Sequence, residues 1–261
     1  MVGRTLGGEC RVNHTRLELS PGLWLDARRA VWLECSGTLA IADPHLGFAW
    51  ANRHAGQLLP VAVQEDTLPR LLALLEDYAP REMAILGDIV HAAAPVAALA
   101  ATLRELVAEV SARTTLRAVR GNHDRHLARS LAAERIELPL LSSHRAGLHE
   151  LLHGDLADDA LAERAFAELT DGGRIIMGHE HPAISLSDGI ASHFRAPCFL
   201  VAKDLIVVPA FSPWAAGANI REGEFLSAYA RAAKFERVIA VVAGKLLPVP
   251  LPGRFTDQRR P

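Results

Sequence analysis

Gly121-Asn122-His123-Asp124 puts a neutral oxygen ligand, a proton carrier and a carboxylate side by side. Asn122 could bind a metal, His123 could hand a proton to a leaving group, and Asp124 could orient the His123 imidazole. Gly121 would let the backbone turn tightly at positive φ. The apolar run Leu116 to Val119 precedes the four residues. They therefore sit where a buried strand would end, the place where α/β folds carry their chemistry. A turn bearing Asn, His and Asp is also common for conformational reasons alone, so the weight falls on what recurs elsewhere.

Four other apolar runs end in metal-ligand residue types. Leu39 to Ala42 leads into Asp43-Pro44-His45, and Met83 to Leu86 into Gly87-Asp88. Leu148 to Leu152 leads into His153-Gly154-Asp155, and Arg174 to Met177 into Gly178-His179-Glu180-His181. Each alone has an ordinary reading as a turn or a hydrogen-bonded histidine. The two histidines of the last motif, at i and i+2, would point to one side of an extended segment and suit adjacent metals. Together, Asp43, His45, Asp88, Asn122, His153, His179 and His181 are too many ligands for one ion and suit two that share a carboxylate. Asp88, a lone Asp at its strand end, is the expected bridge. Imidazole and oxygen ligands without thiolate suit manganese first, with iron, zinc or nickel as alternatives. Two such ions can activate water and brace a phosphate for in-line attack, with His123 as general acid held by Asp124.

The elements that must position these residues follow from periodicity. Leu17 to Glu34 reads as short strands of a hairpin or meander at a sheet edge. Leu68, Leu71, Leu72 and Leu75 recur at helical spacing and stop at Tyr78-Ala79-Pro80. Pro95 suits a helix first turn, followed by a buried face of Val96, Leu99, Leu103, Leu106 and Val110. Strand, polar end and helix alternate three times, which implies parallel strands with crossover helices. The second half is richer in strands, with Leu205 to Val208 and Val238 to Val242 added and a helix between Leu156 and Leu169. No repeat or linker interrupts the chain, so one domain over 1–261 is expected, with residues 1–15 a poorly ordered lead-in.

At 261 residues and half hydrophobic, the chain can bury a large core. Cys10, Cys35 and Cys198 are odd in number and far apart, which fits a reducing cytoplasm rather than a disulfide framework. No signal-peptide pattern or long apolar run argues for a membrane. A net charge of −2 gives no global attraction to nucleic acid. Locally, however, Ser111 to Arg135 carries Arg113, Arg117, Arg120, Arg125, Arg129 and Arg135 against only Asp124 and Glu134. These arginines either form a solvated face paired to acids elsewhere, or Arg125 and Arg129 share a helical face that steers a phosphate backbone.

The order D-x-H, G-D, G-N-H-D, H, G-H-x-H resembles the calcineurin-like metallophosphoesterase superfamily. Asp43-Pro44-His45-Leu46-Gly47, Gly178 to Ala183, and Val207 to Phe211 with Gly217 and Asn219 look like the ligase-associated DNA-damage-response phosphoesterases and their archaeal-type relatives. The resemblance implies two mixed β-sheets packed as a sandwich flanked by helices, in place of a purely parallel sheet, with the dinuclear site at strand ends. It further implies that Asp43, His45, Asp88 and His181 hold one metal and Asp88, Asn122, His153 and His179 the other. The expected function is two-metal hydrolysis of phosphoesters, as a phosphodiesterase or nuclease with a DNA-repair role and helicase or ligase partners. A phosphomonoesterase, a small-nucleotide phosphodiesterase and a non-catalytic docking module are the alternatives. Pro44 and His91 depart from the common pattern, and His91 reads equally as a group facing bound phosphate or as a helix start. His14, His54, His126, His144, His149 and His193 lack ligand spacing, and Trp24, Trp32, Trp50 and Trp214 read as core or rim residues.

Overall fold

Period-two side-chain patterns in the first strands set the layers of the molecule. In the computed structural model, residues 15–56, 67–91, 96–187, 193–215, 217–222 and 224–256 are described. Residues 1–14 of the expected lead-in, including His14 and Cys10, and Pro95 lie outside them, as do the side chains of Val96, His54 and His193. The first sheet has seven strands in chain order: β1 (Arg16–Ser20), β2 (Leu23–Asp26), β3 (Ala30–Leu33), β4 (Thr38–Ala42), β5 (Glu82–Leu86), β6 (Thr115–Val119) and β7 (Leu140–Leu141). The first four strands form an antiparallel meander, and β4 to β7 run parallel.

The second sheet comprises β8 (Ser143–Ala146), β9 (His149–Leu152), β10 (Ile175–Met177), β11 (Pro182–Ser187), β12 (His193–Ala202), β13 (Leu205–Val207), β14 (Ala218–Asn219), β15 (Phe235–Val242) and β16 (Lys245–Val249). Parallel β9, β10 and β13 lie at its centre and antiparallel pairs around them. Strand β12 serves two neighbourhoods. Its first half pairs with β11, and its second half lies between β13 and β15. The sheet is mixed, as the family resemblance implies.

Leu39, Ile41, Met83 and Ile85 face one way and join a core with helices α2 (Thr67–Tyr78), α3 (Val96–Ser111) and α4 (Leu127–Ala133). Their neighbours Ala40, Ala42, Ala84 and Leu86 face the other way and meet Phe199, Ile206, Val208 and Ile239 of the second sheet. Small residues on the inner face let the sheets approach, while the bulky ones fill the space under the helices. A third core covers the far face of the second sheet with α5 (Asp159–Ala167), α6 (Ala228–Ala232) and α7 (Gly253–Thr256). Helix α1 (Phe48–His54) follows the first ligand motif. No helix among the described residues is long and apolar enough to cross a membrane.

The buried face of α2 is Leu71, Leu74 and Leu75, with Leu72 at the rim. The sequence pattern thus finds the helix but sets its phase slightly off, because a leucine-rich helix offers several overlapping stripes. Strands β11 and β12 escape the sequence reading. Pro182, Pro197 and Arg195 break the apolar pattern, and the pairing that forms them is non-local.

Asp26, 2% exposed at the end of β2, ties the meander to α2. It accepts hydrogen bonds from Arg28 Nε at 2.9 Å and Nη2 at 2.7 Å and from the Tyr78 hydroxyl at 2.9 Å. Burial opposes ionisation, but Arg28 and Tyr78 outweigh it and hold the carboxyl below its ordinary value of 3.8. A depressed carboxyl stabilises the fold above the unfolded pKa and loses that contribution as pH falls through the folded one. Asp26→Asn should therefore cost about 1–3 kcal/mol at pH 7. In urea melts the gap from wild type should narrow below pH about 4, where the wild-type carboxyl also protonates. Equal midpoints at pH 7 would show that this pair contributes nothing net.

Candidate metal centre

The five motifs meet where β4, β5 and β6 of one sheet and β9 and β10 of the other end together. Asp43, His45, Asp88 and His181 bring one ligand atom each within 4.8 Å of one another. A second group forms beside it. Asn122 Oδ1 lies 2.9 Å from His153 Nε2 and 3.1 Å from His179 Nδ1, and those two nitrogens are 3.1 Å apart. Asp88 stands between the groups. Its Oδ2 faces His45 Nε2 at 3.8 Å, and its Oδ1 faces His153 Nε2 at 3.5 Å.

The donor set tests whether cations fit here. His153 Nδ1 donates to the Leu86 carbonyl at 3.1 Å, which fixes the ring with Nε2 toward the cluster, 2.9 Å from the amide oxygen of Asn122. His45 Nε2 and His181 Nε2 approach to 3.2 Å. Burial, reinforced by His181, lowers the His45 pKa to about 3. Burial and His153 lower that of His179 to about 4. His45 and His179, kept neutral by burial, converge on the carboxylates beside His181, where burial is outweighed by Asp43 and the pKa is raised. Asp43 Oδ1 is buried without a hydrogen-bond partner. Divalent cations fit such a set.

The backbone is bent to make this convergence. Asp43, His45, Asp88, His179 and His181 all adopt left-handed φ, between 42° and 67°. Such residues typically cost ~1–3 kcal/mol each and persist where the surroundings over-determine them. The Gly178-His179-Glu180-His181 segment is thus not extended as the i, i+2 spacing suggests. Two left-handed residues flank Glu180, and the histidines reach different groups. Gly121 also differs from expectation, with φ of −97°. A Cβ there would collide with the carboxylate and amide nitrogen of Asp88, and one at Gly178 with the Asp43 carboxylate. Both glycines clear room for a ligand from another strand.

Asp124 does not orient the His123 imidazole as the sequence suggests. Its carboxylate, 1% exposed, accepts hydrogen bonds from the Gly121, Ile89 and Val90 amides at 2.9 to 3.4 Å. Short side-chain reach favours these nearby amides, and Asp124 stitches the Asp88 turn to the Asn122 turn. His123 is instead held through its backbone, whose amide donates to Asp88 Oδ1 at 3.0 Å. Its side chain is 35% exposed, with Nε2 3.9 Å from Asp88 Oδ2.

Of the two readings of His91, the structure favours the site. One ligand atom each of His91, His45 and His123 lies within a common 4.8 Å. Sequence reasoning passed over Glu180. It is buried and accepts the Ser227 amide at 2.6 Å, tying the histidine segment to the start of α6. A carboxylate between two ligand histidines was the available signal. Among the arginines, Arg113 pairs with Glu109 and Arg117 with Glu82, while Arg125 and Arg129 are exposed with no ion pair among the described residues.

The family model for calcineurin-like phosphoesterases matches residues 38–200, a span that contains all the residues just described from Asp43 to His181. The crystal structure of a nuclease, MPE, from Pseudomonas putida is similar with a TM-score of 0.64 at 24% identity. That similarity covers 91% of this chain and 100% of the other, and it shows a shared fold. No curated protein matches the sequence.

Metal loading tests the shared carboxylate. After reconstitution with manganese, elemental analysis should approach about two ions per chain, and Asp88→Asn should lose both or nearly so. A wild-type protein that saturates with a single ion would remove Asp88 from the bridging position.

Proposed function

Because the chain belongs to the calcineurin-like phosphoesterase family, we propose that it is a two-metal phosphodiesterase acting on nucleic acid. Metal-dependent phosphoester hydrolysis is the activity of the family. The choice of a diester and of nucleic acid is our reading. The observation that carries the two-metal reading is Asp88, whose two oxygens face two separate imidazole groups, at 3.8 and 3.5 Å. Asp43, His45, Asp88 and His181 would hold one ion, and Asp88, Asn122, His153 and His179 the other. Manganese suits this mixed imidazole and oxygen set. When bound, the ions activate water and offset the charge on phosphate.

The chain's own residues do the rest. Asp88 fixes the His123 backbone, so the half-exposed imidazole faces the cluster through Nε2 and can deliver its proton to the leaving oxygen. The alkoxide released when the P–O bond of an alkyl or nucleoside ester breaks needs that proton more than nitrophenolate does. Asp124 acts as a positioning residue for the turn that carries His123. The Pseudomonas putida protein that shares this fold is a nuclease, which supports nucleic acid as the substrate class. So do Arg125 and Arg129, which follow His123 closely and lack ion-pair partners among the described residues. A place in DNA repair rests on the motifs around Pro44, Pro182 and Pro209 alone.

Replacement of His123 by Ala should leave metal content intact and lower turnover by about 10²–10⁴-fold. The loss should be smaller for a nitrophenyl ester than for an alkyl one. Equal losses on both would take His123 out of the acid role. For nucleic acid, the affinity of the inactive His123→Ala protein for DNA should fall with salt. Adding Arg125→Ala or Arg129→Ala should each flatten the log–log slope by ~1. Undetectable binding at low salt, or unchanged slopes, would point instead to a small phosphodiester.

A further inference from the structure

Phe48 and Trp214 are large aromatic residues that belong to none of the three core clusters among the described residues. They come from distant parts of the sequence, yet their rings lie parallel, 6° apart in plane with centroids at 6.4 Å. Phe48 packs against His91 at 4.7 Å, and His91 faces His123 at 6.2 Å and 29°. A row of rings therefore runs outward from the proposed acid to Trp214. The indole Nε1 is buried without a hydrogen-bond partner among the described residues. A tryptophan placed for stability alone normally satisfies that group.

Both rings are fixed to the ligand-bearing segments. The Phe48 amide donates to the His45 carbonyl at 3.2 Å. The His45 and Leu46 amides donate to the Asp88 and Ile89 carbonyls at 3.0 and 2.8 Å, and the His91 amide returns to Leu46 at 2.9 Å. On the Trp214 side, the Phe211 and Ser212 amides donate to the Ala42 and Asp43 carbonyls at 2.7 and 3.2 Å. Arg29 grips the Ala210 and Ser212 carbonyls, and Arg70 lies over the Phe211 ring. The pair is thus held in register with Asp43, His45 and Asp88, and both residues remain partly exposed.

We infer that Phe48 and Trp214 form a stacking shelf for the base of a nucleoside esterified to the phosphate held at the metal centre. This rests on the nucleic-acid phosphodiester reading above and assigns the surface that holds the base. A flat π surface recognises any base by its face and does not read its edge, so the shelf selects nucleosides over simple alkyl esters without selecting sequence. The neighbouring His91, tilted 59° to the Phe48 ring, lies between the shelf and His123.

Equilibrium binding to manganese-loaded protein tests the shelf directly, with thymidine 3′- and 5′-phosphates and inorganic phosphate as probes. Trp214→Ala should weaken the tighter-binding nucleotide by about 5- to 100-fold, the range for losing one stacked base. It should change phosphate by less than about twofold, and Trp214→Phe should retain most of the nucleotide affinity. Metal content and the thermal melt report whether each variant folds, and Phe48→Leu supplies a second disruption if Trp214→Ala does not. Equal weakening of nucleotide and phosphate, or no weakening of either nucleotide, overturns the shelf. Failure of the phosphodiester reading would look different: no turnover of thymidine 5′-(4-nitrophenyl) phosphate, with the differential binding still present.

Discussion

The arrangement around Asp88 depends on one electrostatic constraint: acceptor atoms converge in a buried space with too few protons between them. Two carboxylates, an amide oxygen and four imidazoles meet there, and burial keeps His45 and His179 neutral. Lone pairs that face one another repel, and low surrounding polarity strengthens the repulsion. Such a cluster is unfavourable by itself and favourable around cations. The left-handed backbone at five of its residues adds to the cost. The amide hydrogen bonds that Asp124 and Glu180 accept hold the neighbouring turns where they would not rest alone.

That constraint explains why the inner face of the sandwich is built as it is. Asp43, Asp88 and Asn122 come from the first sheet, and His153, His179 and His181 from the second. The groups can meet only if the two sheets are close and their strand ends align. Ala40, Ala42 and Ala84 provide the closeness. Backbone links provide the alignment: past the end of β13 the Phe211 and Ser212 amides donate to the Ala42 and Asp43 carbonyls at the end of β4. At the point of contact even a methyl group is excluded, since a Cβ on Gly87 would enter the His153 ring. The glycines preceding Asp88, Asn122 and His179 thus serve the partner strand as much as their own turn.

Much of this was legible in the sequence, and for a definite reason. Residues at the ends of β4, β5, β6, β9 and β10 carry their signal locally, as an apolar run followed by a ligand type. The parallel β4-β5-β6 unit and helices α2 and α3 were equally plain, because apolar period and element length agree there. What could not be read was set by non-local geometry. Asp124 sits beside His123 in sequence but finds the amides of Ile89 and Val90 nearer in space. The spacing of His179 and His181 suggested an extended segment, whereas the requirement to feed two groups bends it twice. Strands β11 and β12 exist through pairing with each other, β13 and β15, against their own prolines. Phe48 and Trp214, 166 positions apart in the sequence, become neighbours only after both loops are tied to the first motif.

The acidic residues near the centre show why composition alone cannot assign roles. Asp88 turns both oxygens toward imidazoles, and Asp43 accepts the His179 amide at Oδ2 and turns Oδ1 toward His153. Asp124 and Glu180 are equally buried but spend their oxygens on backbone amides. A carboxylate saturated by amides has no lone pairs aimed at a metal, whatever its distance in sequence from one. The reverse also holds: Asp43 and Asp88 each accept a single backbone amide and turn their remaining lone pairs toward imidazoles, an arrangement that calls for a cation. What separates ligand from scaffold is therefore the supply of N–H groups around each oxygen. That supply is fixed by the turns at the strand ends, so the same bends that aim the ligands also determine which carboxylates remain free to bind.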